Sequence, residues 1–357
     1  MRRDLKVVLT GGGTAGHVMP HLALLPKMRE LNWNVTYIGS NGIERGICEE
    51  AAIPFICIRS GKLRRYFSLK NFFDVFNVFW GTLEAVIALA RVRPQVVFSK
   101  GGYVTVPVVL AAWFLRIPVV AHESDFTPGL ATKIAARFAQ RVLLTFSETA
   151  KYLPGFKTDW VGTPIRSDLA RGSAAKGFEL CGFSKNDSKP IVLVMGGSQG
   201  AKKLNQIIED SYASLIKKFK VIHLTGKGKG SLSLTSNENY KSFEFLSSEL
   251  ADVYAIVDLV VARAGANSIF EFLYLKKPML LIPLEEGSRG DQVFNGRSFE
   301  EKGWAKLLRE KDLSQSSFLA SLNSLRETSQ EMIQLQALKA PDMRLERVIQ
   351  LLSESAF

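Results

Sequence analysis

Short apolar, β-branched runs alternate with longer stretches of helical periodicity along the first half of the chain. KVVLT, NVTYIGS, PQVVFSK, IPVVAHE and RVLLTF are the runs, and each has the length and composition of a strand. Strands that alternate with helices predict a parallel sheet covered on both faces. The pattern then restarts: IVLVMGGSQGAKKLNQII repeats the order strand, glycine loop, helix, and VIHLTG, FEFL, LVVARAG and PMLLIPL supply further strands. Between the halves, VGTPIRSDLARGSAAKGFELCGFSKNDSKP is rich in Gly, Ser, Pro and charge and reads as a linker, with a boundary near Gly162 to Pro164. The expected fold is α/β: two doubly wound, Rossmann-like parallel-sheet domains, 1–163 and 164–340, facing a cleft. A helix over 341–357 is expected to be able to pack back on the first domain.

Composition narrows the class. A chain of 357 residues exceeds one ordinary core, and 46% hydrophobic with 22% charged residues describes a soluble globular protein. Three scattered cysteines, Cys48, Cys57 and Cys181, lack metal-ligand spacing and suit a reducing cytosol. The charged MRRD leads straight into a strand, so no secretion signal is expected. The best membrane-span candidate, VTVPVVLAAWFLRIPVVA, is cut by Pro107, Arg116 and Pro118 and falls short of a span. The net charge of +12 is uneven, with 20 basic against 11 acidic residues in 1–163. That half implies an anionic partner: nucleic acid, a phosphate-bearing ligand or an acidic membrane surface. None of the usual nucleic-acid recognition motifs is present.

In doubly wound sheets ligands bind beyond the carboxyl ends of the strands, and the candidate residues stand there. Gly11, Gly13 and Gly16 formally match the dinucleotide-binding loop, but the second strand ends in Gly39-Ser40-Asn41 where a ribose-binding acid would be required. Gly196-Gly197-Ser198-Gln199-Gly200 matches a hydrolase nucleophile elbow, yet the only histidine after it is His223, at the end of the next strand. Ser198 therefore reads as a donor at a helix N-terminus, where anions bind. No Asp-x-Asp pair and no His/Cys cluster occurs, so no metal site is expected. In RAGANSIFEFLYLKKP, Glu271 could accept both hydroxyls of a ribose, or simply complement the helix dipole. In PLEEGSRGDQVFNGR, Gln292 and Asn295 suit sugar hydroxyls, while Asp291 could do the same or cap a helix.

Eight segments, GGGTAGHVMP, GKLRRYF, FSKGGYVTVPVV, HESDFTPGLATKIA, GTPIR, GGSQGA, RAGANSIFEFL and GDQVFNGRSFE, stand in the order found in the MurG family. The chain resembles that family of N-acetylglucosaminyltransferases over nearly its whole length. The resemblance implies a GT-B fold, the donor UDP-GlcNAc on the C-terminal domain, and undecaprenyl-pyrophosphoryl-MurNAc-pentapeptide as acceptor on the N-terminal one. It implies no bound cofactor, no metal, no nucleic acid, and inversion at the anomeric carbon. It assigns Ser198 to the UDP phosphates, Arg166 to the nucleotide, Leu246 to the uracil through its backbone, and Ala266, Asn267, Ser268, Ile269, Phe270 and Glu271 to the nucleotide-binding turn. Gln292, with Asn295, would read the GlcNAc, and Thr14, Ala15 and Gly16 match the N-terminal loop that reaches toward the donor. The first glycine loop is then expected to face the acceptor's pyrophosphate.

The general base is left between two residues. An unperturbed histidine titrates near neutrality, so the residue type at His17 suits removal of a proton from the acceptor's C4 hydroxyl; a phosphate contact or a structural hydrogen bond is the alternative role. Many family members carry HEQN where this chain has His122-Glu123-Ser124-Asp125, so Asp125 could hold a sugar hydroxyl or act as the base. Thr163 similarly stands where Asn is often found. GKLRRYFSLKNFFDVFNVFWGTL places Arg64 and Arg65 beside Phe72 and Phe76. Most of its rings are expected in the core, with part of the segment able to lie on the anionic cytoplasmic face of the bacterial membrane. Rival readings are a transferase with another glycolipid acceptor, a UDP-sugar 2-epimerase, and a non-catalytic binding module.

Overall fold

The computed structural model describes residues 4–61, 69–196, 202–230, 234–285, 290–341, 343 and 345–357. The chain divides into two compact units, Met1–Arg166 together with Pro341–Phe357, and Ser167–Ala340. In the first unit the order is β1 (Lys6–Thr10), α1 (Ala15–Glu30), β2 (Asn34–Gly39), α2 (Ile43–Glu50), β3 (Phe55–Cys57), α3 (Leu69–Val92), β4 (Val96–Ser99), α4 (Thr105–Phe114), β5 (Val119–Glu123), α5 (Leu130–Ala136), β6 (Arg141–Leu144) and β7 (Thr158–Trp160). The strands pair in parallel in the order β3-β2-β1-β4-β5-β6-β7.

The second unit runs through α6 (Ala174–Cys181), β8 (Ile191–Met195), α7 (Lys202–Lys218), β9 (Lys220–Leu224), β10 (Tyr240–Phe243), α8 (Leu250–Ile256), β11 (Leu259–Ala262), α9 (Ala266–Tyr274), β12 (Met279–Leu281), α10 (Asp291–Glu301), β13 (Lys306–Leu307), α11 (Gln315–Glu327) and α12 (Ser329–Lys339). Its parallel order is β10-β9-β8-β11-β12-β13. In both sheets the winding reverses at the first strand, so a crevice opens at β1/β4 in one unit and at β8/β11 in the other. The loops that leave those four strands are therefore the places where a ligand fits.

Strand alternation builds a core on each face of the first sheet. Val7 and Leu9 point to one side, with Val96 and Phe98; Val8 and Val97 point to the other, against Ala85 and Ala88 of α3 and Val108 of α4. The first side is closed by α13 (Leu345–Ser355), whose Val348, Ile349, Leu351 and Leu352 are buried among the side chains of α1 and β1.

Several expectations need correction. The glycine-rich segment after Val161 is no linker: it carries α6, which packs on α8. A β-carbon at Gly172 or Gly177 would collide with the backbone of Ala251 or Asp252, and Asp252 accepts a hydrogen bond from the Ser173 N–H at 2.6 Å. Small residues that resemble linker composition are there for close packing. The strand expected at FEFL lies earlier, over Tyr240–Phe243, because β9 ends at Leu224 and offers no partner beyond Phe243. The edge strands β3, β7 and β13, of two or three residues, carry too little pattern to be read. The span candidate divides into α4 and β5, whereas Asp74–Val92 of α3 is apolar and long enough to cross a membrane by length and composition. Ala85, Ala88 and Leu89 of that helix nonetheless belong to the core.

Replacing Gly177 with Val should overpack the α6–α8 contact and cost about 1–3 kcal/mol. Urea unfolding followed by circular dichroism measures it, and an unchanged midpoint would mean that α6 does not pack as described.

Candidate functional site

In the first unit the crevice is walled by the loops after β1, β4 and β5. Gly11 and Gly12 are buried, and Tyr37 donates from its hydroxyl to the Gly11 carbonyl at 2.8 Å. Glu44, fully buried on α2, accepts from the Gly13 N–H at 3.3 Å, the Ser40 N–H at 3.1 Å and the Ser40 hydroxyl at 2.5 Å. The loop is thus fixed from beneath by one carboxylate. Thr14, exposed and extended, precedes α1, which Ala15 and Gly16 open.

His17, half-buried in the first turn of α1, has Nδ1 at 2.9 Å from the Gly12 carbonyl and 3.2 Å from the Thr14 hydroxyl. A carbonyl only accepts, so Nδ1 carries a proton and the neutral ring keeps its lone pair on Nε2. That is the tautomer a base at Nε2 requires. Asp125, half-buried, follows β5 in a turn that Glu123 organises: its two oxygens accept from the N–H groups of Asp125 at 2.9 Å and Gly129 at 3.0 Å. The strand β4 lies between those that carry His17 and Asp125.

Beneath both stands a buried polar cluster. Lys100 Nζ donates to the Ser124 hydroxyl at 2.8 Å and to His122 Nδ1, and His122 Nε2 donates to the Gly162 carbonyl at 2.9 Å. Burial pulls the Lys100 ammonium down to about 7, against the opposing pull of Glu123 and Asp125. Burial, then the Lys100 charge, holds His122 well below the usual histidine range. Beside this loop system a hollow of about 560 Å³ is lined by Ser40, Asn41, Arg59, Asp74, Asn77 and Tyr103, among others.

In the second unit the turn after β11 is built from within. Arg263 is buried, ion-paired with Glu310, and donates to the Ile282 carbonyl at 2.9 Å. Asn295 of α10 is also buried, and its amide donates to the Ala264 carbonyl at 3.1 Å. Asn295 therefore supports the turn through its backbone. In α9 the side chains of Ile269 and Phe270 face the core, Phe270 edge-on to Phe299, while Asn267, Ser268 and Glu271 are half-buried and Ala266 is buried. Only the backbone of the apolar members, with the side chains of Asn267, Ser268 and Glu271, is open to a ligand. Gln292 accepts from the Leu284 N–H at 2.9 Å. Leu246 is buried in the loop beyond β10, and half-buried Arg166 ends the first of the two segments that make up the first unit. Ser198, Arg64, Arg65 and the side chains of Ala15 and Phe72 lie outside the described residues.

The comparisons divide as the fold does. Residues 7–144 match the glycosyltransferase family 28 N-terminal domain, and 191–350 match its C-terminal domain. A Bacillus cereus relative named UDP-N-acetylglucosamine--N-acetylmuramyl-(pentapeptide) pyrophosphoryl-undecaprenol N-acetylglucosamine transferase 2 is 48% identical, over 91% of this chain and 92% of its own. A Clostridium novyi transferase of the same name, without the numeral, is 46% identical over 98% of both chains. The chain belongs to the MurG family. A crystal structure of Acinetobacter baumannii MurG, 22% identical, shares the fold with a TM-score of 0.79 over 98% of this chain and 100% of that one.

Two features escaped the MurG motifs. Glu44 sits on an amphipathic helix where nothing but burial separates it from a surface acid. Apart from Phe72 and Phe76, most rings of α3 were expected in the core, yet Phe79 and Trp80, like Val75, Phe76, Leu83 and Ile87, are between 41% and 58% exposed along one side of the helix. A further hollow of about 510 Å³ lies at the opposite end of the second sheet, near Pro190 and Lys220, where Lys220 is engaged by Asp187 at 3.2 Å.

Among the described residues His223 is held by structural partners. Its ring is buried between the Tyr240 hydroxyl, 3.0 Å from Nδ1, and Asn205 Oδ1, 3.1 Å from Nε2, and burial pulls it down to about 4. Its neutral form is favoured in the folded state, so the stabilisation is complete above about pH 6.5 and is lost as pH falls toward 4. That loss should amount to about 3 kcal/mol. Urea midpoints between pH 7 and 4 should fall more steeply for the wild type than for His223→Gln; equal slopes would remove His223 from the balance.

Proposed function

We propose that this MurG family member transfers GlcNAc from UDP-GlcNAc to the C4 hydroxyl of undecaprenyl-pyrophosphoryl-MurNAc-pentapeptide, giving the disaccharide lipid precursor of peptidoglycan. The observation that carries the reading is 46–49% identity, over 90% or more of the chain, to relatives named for that transfer. The second unit is the donor side. Glu271 takes the ribose hydroxyls, the first turn of α9 approaches the nucleotide, and the Leu246 backbone meets the uracil. Ser198 and Arg166 steady the diphosphate, and Gln292 reads the sugar. Asn295 and Arg263 support this surface from below, which is preorganisation in the physical sense: the dipoles are set before charge develops.

The first unit is the acceptor side. The Gly11–Gly16 loop offers N–H groups at a helix start to the acceptor's pyrophosphate, and His17 Nε2, or the Asp125 carboxylate, takes the proton from the attacking hydroxyl. Attack on the anomeric carbon from the face opposite UDP inverts its configuration. The reaction is metal-independent, the departing diphosphate being met by helix N–H groups, Ser198 and Arg166.

The protein works as a peripheral protein on the anionic cytoplasmic membrane face. The exposed apolar side of α3 enters the interface, and Arg64 and Arg65 meet the anionic headgroups. This orientation favours a lipid-linked acceptor, because α3 begins at the carboxyl end of the strands, where the glycine loop lies.

UDP release by the purified protein, with and without a short-chain lipid-linked MurNAc-pentapeptide, in chelator, tests the reaction. Release that needs this acceptor and survives the chelator is expected; acceptor-independent conversion of UDP-GlcNAc would point to an epimerase. His17→Ala should lower turnover about 10²–10⁴-fold with UDP-GlcNAc binding intact, and near-normal turnover would assign the base to Asp125. Sedimentation with vesicles containing anionic lipid should weaken with added salt and with Phe76→Ser/Phe79→Ser; binding indifferent to both would remove α3 from the membrane contact.

A further inference from the structure

Lysine is almost never fully buried unless it is paired, and burying an ammonium costs several kcal/mol. Lys100 is 1% exposed, and its two hydrogen-bond acceptors, the Ser124 hydroxyl and His122 Nδ1, are both neutral groups. His122 does not carry the charge in its place, since burial and the Lys100 charge hold its ring neutral, with Nε2 donating to the Gly162 carbonyl and Nδ1 facing the lysine. The nearest carboxylates act at longer range. Glu123 spends both oxygens on the backbone of its own turn, and Asp125 stands next along the chain from Ser124. Packing alone would be served by methionine. The position also connects the site's parts: Lys100 bonds to the residue before Asp125 and immediately precedes Gly101 and Gly102, whose left-handed backbone (φ +84° and +85°) carries the chain past Gly12 and His17.

We propose that Lys100 is a positioning residue for the acceptor side of the reaction. It is a buried amine that, through its bond to Ser124 and by the charge of its protonated form, sets the Asp125 carboxylate for the acceptor sugar's hydroxyl and favours its ionised state. The inference rests on the reading of the first unit as the acceptor site. The charged and titratable groups facing the cluster are Glu123 and Asp125 of the β5 turn, His122 of β5, and His21 of α1, with His17 one turn before it. The histidines at 21 and 122 are held neutral by burial, so within this cluster the positive charge that acts on Asp125 is that of Lys100. A nearby cation favours the ionised carboxylate and lowers its pKa. Removing it must move the Asp125 titration upward.

Lys100→Met, Lys100→Arg and Asp125→Asn, with the Met/Asn double variant, form the test. For Lys100→Met, the acid limb of kcat/KM for the acceptor is expected about one unit higher, so that kcat/KM falls about tenfold at pH values below that limb, with UDP-GlcNAc affinity unchanged. Lys100→Arg keeps the charge and should keep the acid limb. In the Asp125→Asn background Lys100→Met should add little further loss. Independently of turnover, the Asp125 carboxyl resonance in aspartate-labelled protein should titrate about one unit higher in Lys100→Met. An unmoved Asp125 titration, a parallel loss of donor affinity, or full additivity in the double variant would each overturn the proposal. Absence of acceptor-dependent UDP release by the wild type would instead overturn the functional reading, while the carboxyl titration still decides the role of Lys100.

Discussion

In the first unit the Gly12 carbonyl lies so close to the α-carbon of Gly102 that a β-carbon there would collide with it. The loops after β1 and β4 leave adjacent strands at the point where the sheet reverses its winding, and they must pass each other before either can enter its helix. Two glycines make the crossing possible. The placement of His17, the proposed base, depends on it, because the Gly12 carbonyl that meets Gly102 is also the acceptor for His17 Nδ1. A shift in either loop moves the imidazole. Glu44 resists that shift from below, holding Gly13 and Ser40 with one carboxylate.

The two units solve a similar problem with different materials. Where the first uses close-packed glycines and a buried acid, the second uses buried polar side chains: Asn295 on the Ala264 carbonyl, and Arg263 between Glu310 and the Ile282 carbonyl. Each leaves a short stretch of backbone at the start of a helix with its geometry decided before any ligand arrives. Such a site can oppose developing charge without reorganising at the moment of reaction.

The central strands were legible because burial on both faces demands continuous apolar runs, as in KVVLT and IVLVM, and the glycine loops because they follow those runs directly. The edge strands β3, β7 and β13 were not, since a strand of two or three residues has no period. Asn295 was legible as a polar residue in a sugar-reading segment, but its burial was not: only the tertiary fold decides whether an amide faces a ligand or a carbonyl of its own chain. The same holds for Lys100, whose neighbours in sequence are Ser99 and Gly101 while its bonds are to residues of the next strand. Phe79 and Trp80 failed in the other direction. Helical spacing marks an apolar face without saying whether protein or something else covers it.

The core of the first unit closes on α13, whose four buried aliphatic side chains are worth about 1.5–3 kcal/mol each. Those residues are separated from the rest of that unit by the whole of 167–344. During synthesis the amino-terminal sheet therefore leaves the ribosome with one face covered only in part, by α1 and α2, and it must wait for the second unit to be made before its last helix exists. The order of translation and the order of assembly are thus set at odds. The newly made chain presents the greasy side of its first sheet to whatever chaperone or surface is near, and a stop codon anywhere after Ala340 but before α13 would leave a complete second unit joined to a first one that cannot close.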